Sequence, residues 1–137
     1  VVHVDNQAME CDACHSFRKD GSFAGLPTNA NCIECHSEIQ GEDPEEARYV
    51  NDFVKKGKEV DWLVYQTQPD NVYFSHIAHK GKFECTKCHL DMANAKTPPV
   101  YYENRLSGYS KNTMKMWQCE ECHAQNHASN ACFVCHK

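Results

Sequence analysis

Residues 119–136 read CEECHAQNHASNACFVCH, in which two cysteine pairs are each closed by a histidine. The same pattern, CxxCH, occurs five times along the chain. Its members are Cys11/Cys14/His15, Cys32/Cys35/His36, Cys85/Cys88/His89, Cys119/Cys122/His123 and Cys132/Cys135/His136. In this motif two thiols add to the vinyl groups of one haem, and the imidazole binds its iron. The repetition therefore predicts five covalently bound haems c, with the motif histidines as proximal ligands.

Other uses of paired cysteines explain the pattern less well. Zinc and iron-sulfur sites take two such pairs for four thiolates, so five pairs leave one unmatched. A disulfide framework also uses an even set of cysteines, but it does not require a histidine after every pair. The haem motif accounts for all ten cysteines and for the repeated histidine.

The composition indicates a thin side-chain core. Charged residues make up 24% of the chain and the mean hydropathy is -0.71, while leucine and isoleucine are scarce. A chain of this kind needs its prosthetic groups to supply buried apolar material. We therefore expect a mainly irregular fold with a few short α-helices, a compact core built from haems, and an apoprotein that is largely unfolded.

The charge of the chain bears on its partners. The formal net charge is -5 with neutral histidine, and each haem adds two propionates. Because no basic stripe is present to neutralise phosphates, nucleic acid is not an expected partner. A redox protein with a rim of lysines suits the acidic surface better, since complementary fields steer encounter.

The location is predicted from the chemistry of haem attachment, which takes place outside the cytoplasm. No apolar run approaches the ~20 residues of a membrane span, and no signal peptide is visible. We therefore expect a periplasmic protein for which Val1 is a processed or truncated start. Membrane association would then come from an absent N-terminal segment or from partner subunits.

Residues 1–137 are predicted to form one multihaem domain. Residues 1–40 carry haems 1 and 2, residues 41–75 form a helix and a connecting arm, and residues 76–137 carry haems 3 to 5. The helix is expected from Pro44 to Lys56, with Asp43 as its cap, Glu46 completing a capping box and Gly57 ending it.

The sequence contains fewer histidines than five irons with two histidine ligands each would need. Nine histidines are present and five belong to the motifs, which leaves His3, His76, His79 and His127 as distal ligands. The His76-x-x-His79 spacing places two imidazoles about one helical turn apart. Such a pair is typical of ligands to two different irons, one local and one of a neighbouring haem.

One iron of the five is left without a histidine. It takes a methionine, borrows a ligand from a partner chain, or stays open to small ligands. The methionine candidates are Met116, Met114, Met92 and Met9, of which Met116 is our choice. The alternative for each methionine is ordinary apolar packing.

Several segments resemble a known family. They are residues 23–28 (FAGLPT), residues 35–39 (CHSEI), Trp62, residues 69–79 (PDNVYFSHIAH) and residues 116–117 (MW). They are similar to the pentahaem cytochrome subunit of alternative complex III and to the related multihaem subunit of menaquinone reductase complexes, with a fold like that of class III cytochromes. The chain departs from these proteins at Gln66, where they carry a further histidine, and in having only His3 ahead of the first motif.

The resemblance implies an electron-transfer subunit rather than an enzyme in itself. It would relay electrons between the quinone-linked core of a membrane complex and a soluble c-type cytochrome. Expected partners are iron-sulfur and molybdopterin-oxidoreductase-like subunits and integral membrane quinone-binding subunits. The alternatives are a free periplasmic shuttle, an extracellular haem wire, and a reductase of a small oxyanion at an open haem.

Overall fold

The computed structural model describes residues 2–136, and short helices joined by irregular chain dominate it. The α-helices are α1 (Cys11–Cys14), α2 (Asn29–His36), α3 (Pro44–Tyr49), α4 (His76–His79), α5 (Met116–Gln125) and α6 (Cys132–Cys135). Val2–Asn6 and Val50–Val54 are π-helices, and Cys85–Lys87 is a 3-10 helix. Between residues 2 and 136 only isolated β-bridges pair extended segments. The expected fold class, irregular with a few short helices, is confirmed.

Side chains alone build almost no core. Among the described residues, Val50 is the one buried apolar side chain, and the buried polar ones are Ser110 and Thr113. A core of this size is far below what a chain of this length needs for stability, since burial of apolar area is the main favourable term. The small core agrees with a fold whose interior is completed by prosthetic groups.

Two compact units divide the chain. One is Ala8–Trp62, and the other combines Val1–Gln7 with Leu63–Lys137. The first two CxxCH motifs lie in the first unit and the last three motifs in the second. His3 belongs with the second unit. The grouping of all five haems into a single domain stays a prediction.

The predicted long helix is present but differs in detail. Asp43 caps it by accepting a hydrogen bond from Glu45 N–H at 2.8 Å, and Pro44 opens the first turn. After Tyr49 the helix continues as the π-helix Val50–Val54, so it ends short of Lys56.

The prediction that Glu46 completes a capping box is wrong. Its carboxylate instead accepts hydrogen bonds from Gln40 N–H and Gly41 N–H, which precede the helix. These amides belong to the loop between α2 and α3. Glu46 therefore ties the helix to the end of the second haem motif.

The arm after this helix has no regular secondary structure. Within the first unit, the Trp62 indole N–H donates to the Pro27 carbonyl at 2.8 Å. The arm thereby closes over the loop that precedes α2. None of the helices in the described part of the chain has the length and apolar character needed to cross a bilayer.

Candidate haem sites

Each pair of motif cysteines lies on about one helical turn. Four pairs sit on α1, within α2, within α5 and on α6, and in the third motif Cys85 opens the 3-10 helix while Cys88 follows its end. In three motifs the histidine N–H donates to the carbonyl of the first cysteine, as in His15 N–H to Cys11 O at 2.9 Å. Residues three apart on a helix share one face. The two thiols of a motif are therefore presented together, as attachment to one porphyrin ring requires.

The ten motif cysteines differ in exposure. Those exposed to solvent are Cys11, Cys35, Cys85 and Cys132, and those partly buried are Cys14, Cys32, Cys88, Cys119, Cys122 and Cys135. The second motif departs from the order of the first, third and fifth motifs, because its second thiol, Cys35, is the exposed one. Its first thiol is turned towards the helix, with Cys32 Sγ 3.6 Å from the Thr28 carbonyl.

Cys35 is exposed to solvent, as are three other motif thiols. An exposed thiol is accessible to a haem vinyl group. Covalent attachment of haem at Cys35, as at the other nine cysteines, stays a prediction.

His76 faces His89, the histidine of the third motif. The rings of His76 and His89 are parallel to within 10°, and their centroids are 6.4 Å apart. With metal–nitrogen bonds of about 2.0 Å and about 1.1 Å from each nitrogen to its ring centre, two imidazoles on one iron have centroids about 6.2 Å apart. The spacing of His76 and His89 matches that of two axial ligands. Burial first, then His89 and His79, lowers the pKa of His76, which favours the neutral, ligating imidazole.

His79 faces His123, the histidine of the fourth motif, in the same way. The His79 and His123 rings are parallel to within 15°, with centroids 6.2 Å apart. Both residues line an opening of about 400 Å³ whose wall includes Cys122 and Lys82. The imidazoles, the thiol and the opening together have the layout expected for one haem. The two histidines of the His-x-x-His segment thus lie opposite the histidines of two different motifs, although both come from a single helical turn.

Phe74 holds both of these imidazoles. Its ring lies 4.8 Å from the His76 ring in an edge-to-face contact and 4.7 Å from the His79 ring in a stacked one. The Ser75 carbonyl accepts a hydrogen bond from His79 Nδ1 at 2.8 Å. Such a bond leaves Nε2 with its lone pair for a metal. Phe74 is not among the site residues predicted from the sequence, although its place two residues before His76 was the available signal.

Three motif histidines also have partners at Nδ1, and these differ in charge. His123 Nδ1 lies 3.0 Å from the Ser129 carbonyl, and His136 Nδ1 lies 2.9 Å from the Asn71 carbonyl. His36 Nδ1, in contrast, lies 2.8 Å from the carboxylate of Glu46. Because oxygen acceptors hold the proton on Nδ1, the Nε2 lone pair of each ring is available to a metal.

Thiol electrostatics show which motifs are neighbours. Burial first, and then the charge of the nearby Cys32 thiolate, raises the pKa of Cys14. The first two motifs therefore lie close to each other. In the second unit, burial raises the pKa of Cys88 and Cys119, with further increases from Cys122 and Cys135 respectively. The third and fourth motifs are therefore adjacent, and so are the fourth and fifth.

The remaining predicted ligands lie on or next to other helices. His3 lies in the π-helix Val2–Asn6, and His127 follows α5 with a positive φ of 56°. Met116 opens α5 with 65% of its side chain exposed. Their assignment as distal ligands stays a prediction.

Gln66 stands where the resembling proteins carry a histidine, and here it has a structural contact. Its side-chain amide donates to the Cys88 carbonyl at 2.8 Å and to the Asn112 carbonyl at 3.3 Å. The amide therefore ties the arm to the third motif.

Within residues 2–136, no three His, Cys, Asp or Glu side chains converge as they would around a zinc ion.

Comparison with known proteins identifies the family. No family model matches the chain. The chain is 60% identical over 153 aligned positions to a curated protein of Nitratidesulfovibrio vulgaris (strain Hildenborough), "Menaquinone reductase, multiheme cytochrome c subunit". The match covers 99% of this chain and 73% of that relative. By this likeness, and with facing imidazoles at its CxxCH motifs, the chain belongs to the family of multihaem cytochrome c subunits of menaquinone reductase.

Proposed function

We propose that this chain carries five haems c and relays electrons, on the periplasmic side of a membrane complex, from a soluble c-type cytochrome towards menaquinone. Its family makes it an electron-transfer subunit of a quinone oxidoreductase complex, with covalently bound haem c. The count of five rests on the five CxxCH motifs, and the direction of flow on the name of the relative. The cofactor supplies one-electron exchange at iron, and the protein supplies attachment, axial ligands and spacing.

The observation that carries the proposal is the pair of facing imidazoles. His76 with His89, and His79 with His123, lie parallel at 6.4 and 6.2 Å between ring centroids. Two independent pairs repeat the distance of about 6.2 Å that is expected between the ring centroids of two imidazoles on one iron. We assign His76 to the third haem and His79 to the fourth. A stacked pair in direct contact would have its rings much closer.

The chain's own residues do the remaining work at these sites. Phe74 and the Ser75 carbonyl orient the two distal imidazoles, and Ser129 orients His123. Lys82 lines the opening between His79 and His123, where its ammonium group offers a partner for a propionate. Because one helical turn supplies ligands to two haems, it also fixes their mutual spacing.

Adjacent motifs form the path for electrons within each unit. The effect of Cys122 on the pKa of Cys88, and of Cys135 on the pKa of Cys119, supports an order of haems three, four and five. The effect of Cys32 on the pKa of Cys14 supports contact between haems one and two. For the remaining sixth ligands we propose His3, His127 and, as the fifth distal ligand, Met116.

The partners and the location belong to the same proposal. We propose that the complex contains iron-sulfur and molybdopterin-oxidoreductase-like subunits and an integral membrane quinone-binding subunit. An affinity tag on this chain, expressed in the organism that makes it, allows the intact assembly to be purified from membranes. Mass spectrometry of the purified material should find these subunits, and a menaquinone analogue should oxidise the reduced haems.

The result has a clear contrary. Recovery of the chain alone from the periplasmic fraction, with haems that a quinone analogue does not oxidise even in the presence of membranes, would refute a place in such a complex. It would favour a free shuttle. The matched control is the same tagged assembly without quinone analogue.

A further inference from the structure

The second haem motif has an anionic partner for its proximal histidine. His36 Nδ1 lies 2.8 Å from Glu46 Oε1, and the two side chains are 24% and 14% exposed. The pair is therefore largely shielded from water. A charge-assisted hydrogen bond of this length is roughly twice as strong as a neutral one.

Backbone donors hold the Glu46 carboxylate in place. Gln40 N–H donates to Oε1 at 2.8 Å, and Gly41 N–H donates to Oε2 at 2.9 Å. The backbone of Glu46 lies in α3, whose first turn is fixed by the Asp43 cap and by Pro44. Three donors thus converge on one carboxylate, which keeps the charge directed at His36.

The other motif histidines with a known Nδ1 partner bond to a neutral group. His123 and His136 donate to the backbone carbonyls of Ser129 and Asn71. A carbonyl offers only a dipole, whereas a carboxylate offers a full negative charge. By drawing on the Nδ1 proton, the carboxylate makes the imidazole a stronger electron donor through Nε2. Stronger donation stabilises ferric over ferrous iron.

We propose that Glu46 is a positioning residue that lowers the reduction potential of the second haem through its hydrogen bond to His36. The inference rests on the proposed function, since it takes His36 as an axial ligand of a covalently bound haem. The step that Glu46 affects is the gain of one electron by ferric iron, which the electron-transfer function supplies. No bond at the iron breaks, and the proton stays on Nδ1.

The substitution Glu46→Gln tests this directly, because it removes the charge while keeping the side-chain length. The amide oxygen can still accept from His36 and Gln40, so the ring keeps its orientation. Mutating a partner of a metal ligand typically costs 10–100-fold in metal affinity or activity, and we take the lower end of that range as the scale of the effect on reduction. We therefore expect the equilibrium constant for reduction of one haem to rise about tenfold, which is 59 mV for a one-electron couple. The readout is a potentiometric titration followed by optical and electron paramagnetic resonance spectra of the purified five-haem protein.

Glu45→Gln is the matched control. Glu45 is the neighbouring residue on α3, pairs with Arg48 at 2.7 Å and is 72% exposed. Its substitution changes the net charge by the same amount but does not touch a haem ligand, so the equilibrium constant for reduction of every haem should change by less than twofold. The inference would be overturned if the equilibrium constant for reduction rose less than threefold in Glu46→Gln. An equal rise in Glu45→Gln would overturn it as well.

Haem content separates this inference from the function on which it rests. Fewer than five haems in the wild-type protein would refute the proposed function, whereas five haems with unchanged potentials in Glu46→Gln would refute only the role of Glu46. If Glu46→Gln fails to take up five haems, Glu46→Asp is the second variant. It keeps the charge but draws it back by one methylene. A smaller rise confined to one haem is then expected, and an unchanged set of potentials would overturn the inference.

Discussion

Replacing His79 by alanine should convert one haem from low-spin to high-spin. The His79 and His123 rings face each other with centroids 6.2 Å apart, and alanine removes one of the two nitrogen ligands. Iron that loses a strong axial ligand becomes high-spin. Because His76 and His89 form a separate pair, the third haem should not change. About one fifth of the total iron should therefore change spin state.

Quantitative electron paramagnetic resonance of the oxidised protein measures this fraction. His76→Ala should convert a different fifth of the iron, and the double variant about two fifths. Imidazole added to His79→Ala should enter the opening of about 400 Å³ and restore the low-spin signal. Lys82→Ala, which changes the same wall without removing a ligand, is the control and should stay low-spin. A low-spin His79→Ala protein, or a double variant with no more high-spin iron than either single one, would refute the assignment.

Three further outcomes follow from contacts in the structure. Phe74→Leu removes two aromatic pairs with the imidazoles of the His-x-x-His segment, each contributing about 0.5–1.5 kcal/mol. The free energy of unfolding measured with urea should therefore fall. An unchanged urea midpoint would contradict this. Trp62→Phe loses one hydrogen bond to a backbone carbonyl. Its free energy of unfolding, measured with urea, should fall by about 1 kcal/mol. An unchanged or higher value would show that the bond contributes nothing. The backbone hydrogen bond from Gln40, followed by those from His36 and Gly41, lowers the pKa of Glu46 from 4.5. The stabilisation of the fold by the ionised Glu46 is therefore complete above about pH 4.5 and is lost as the pH falls through the lowered pKa. The urea midpoints of wild type and Glu46→Gln should differ at pH 6 and converge in acid. A difference that grows on acidification would refute this.

The sequence predicted the haem motifs and the fold class because both follow from local patterns. A CxxCH motif needs only one helical turn, and each of the five forms such a turn here. Scarce apolar residues indicated a thin core, and Val50 is the one buried apolar side chain of the described part. The helix start at Asp43 and Pro44 was also local in origin and is confirmed.

What the sequence could not reveal depends on contacts between distant residues. Glu46 has the spacing of a capping-box acid from Asp43, but the loop after α2 brings two backbone N–H groups and His36 within its reach. Three donors outweigh the single N–H that a capping box supplies. The reversed exposure of Cys32 and Cys35 could not be read from a motif that is the same at all five places. The facing of His79 and His123, 44 positions apart, likewise requires the folded chain.

The number of covalent haems per chain tests the account most directly. The protein should be matured in a host with c-type haem attachment, and its intact mass should be measured together with its haem content by the pyridine haemochrome spectrum. We predict five haems per chain and a mass increased by five haem groups. A colourless product, or a mass increased by fewer than five, would contradict the central claim.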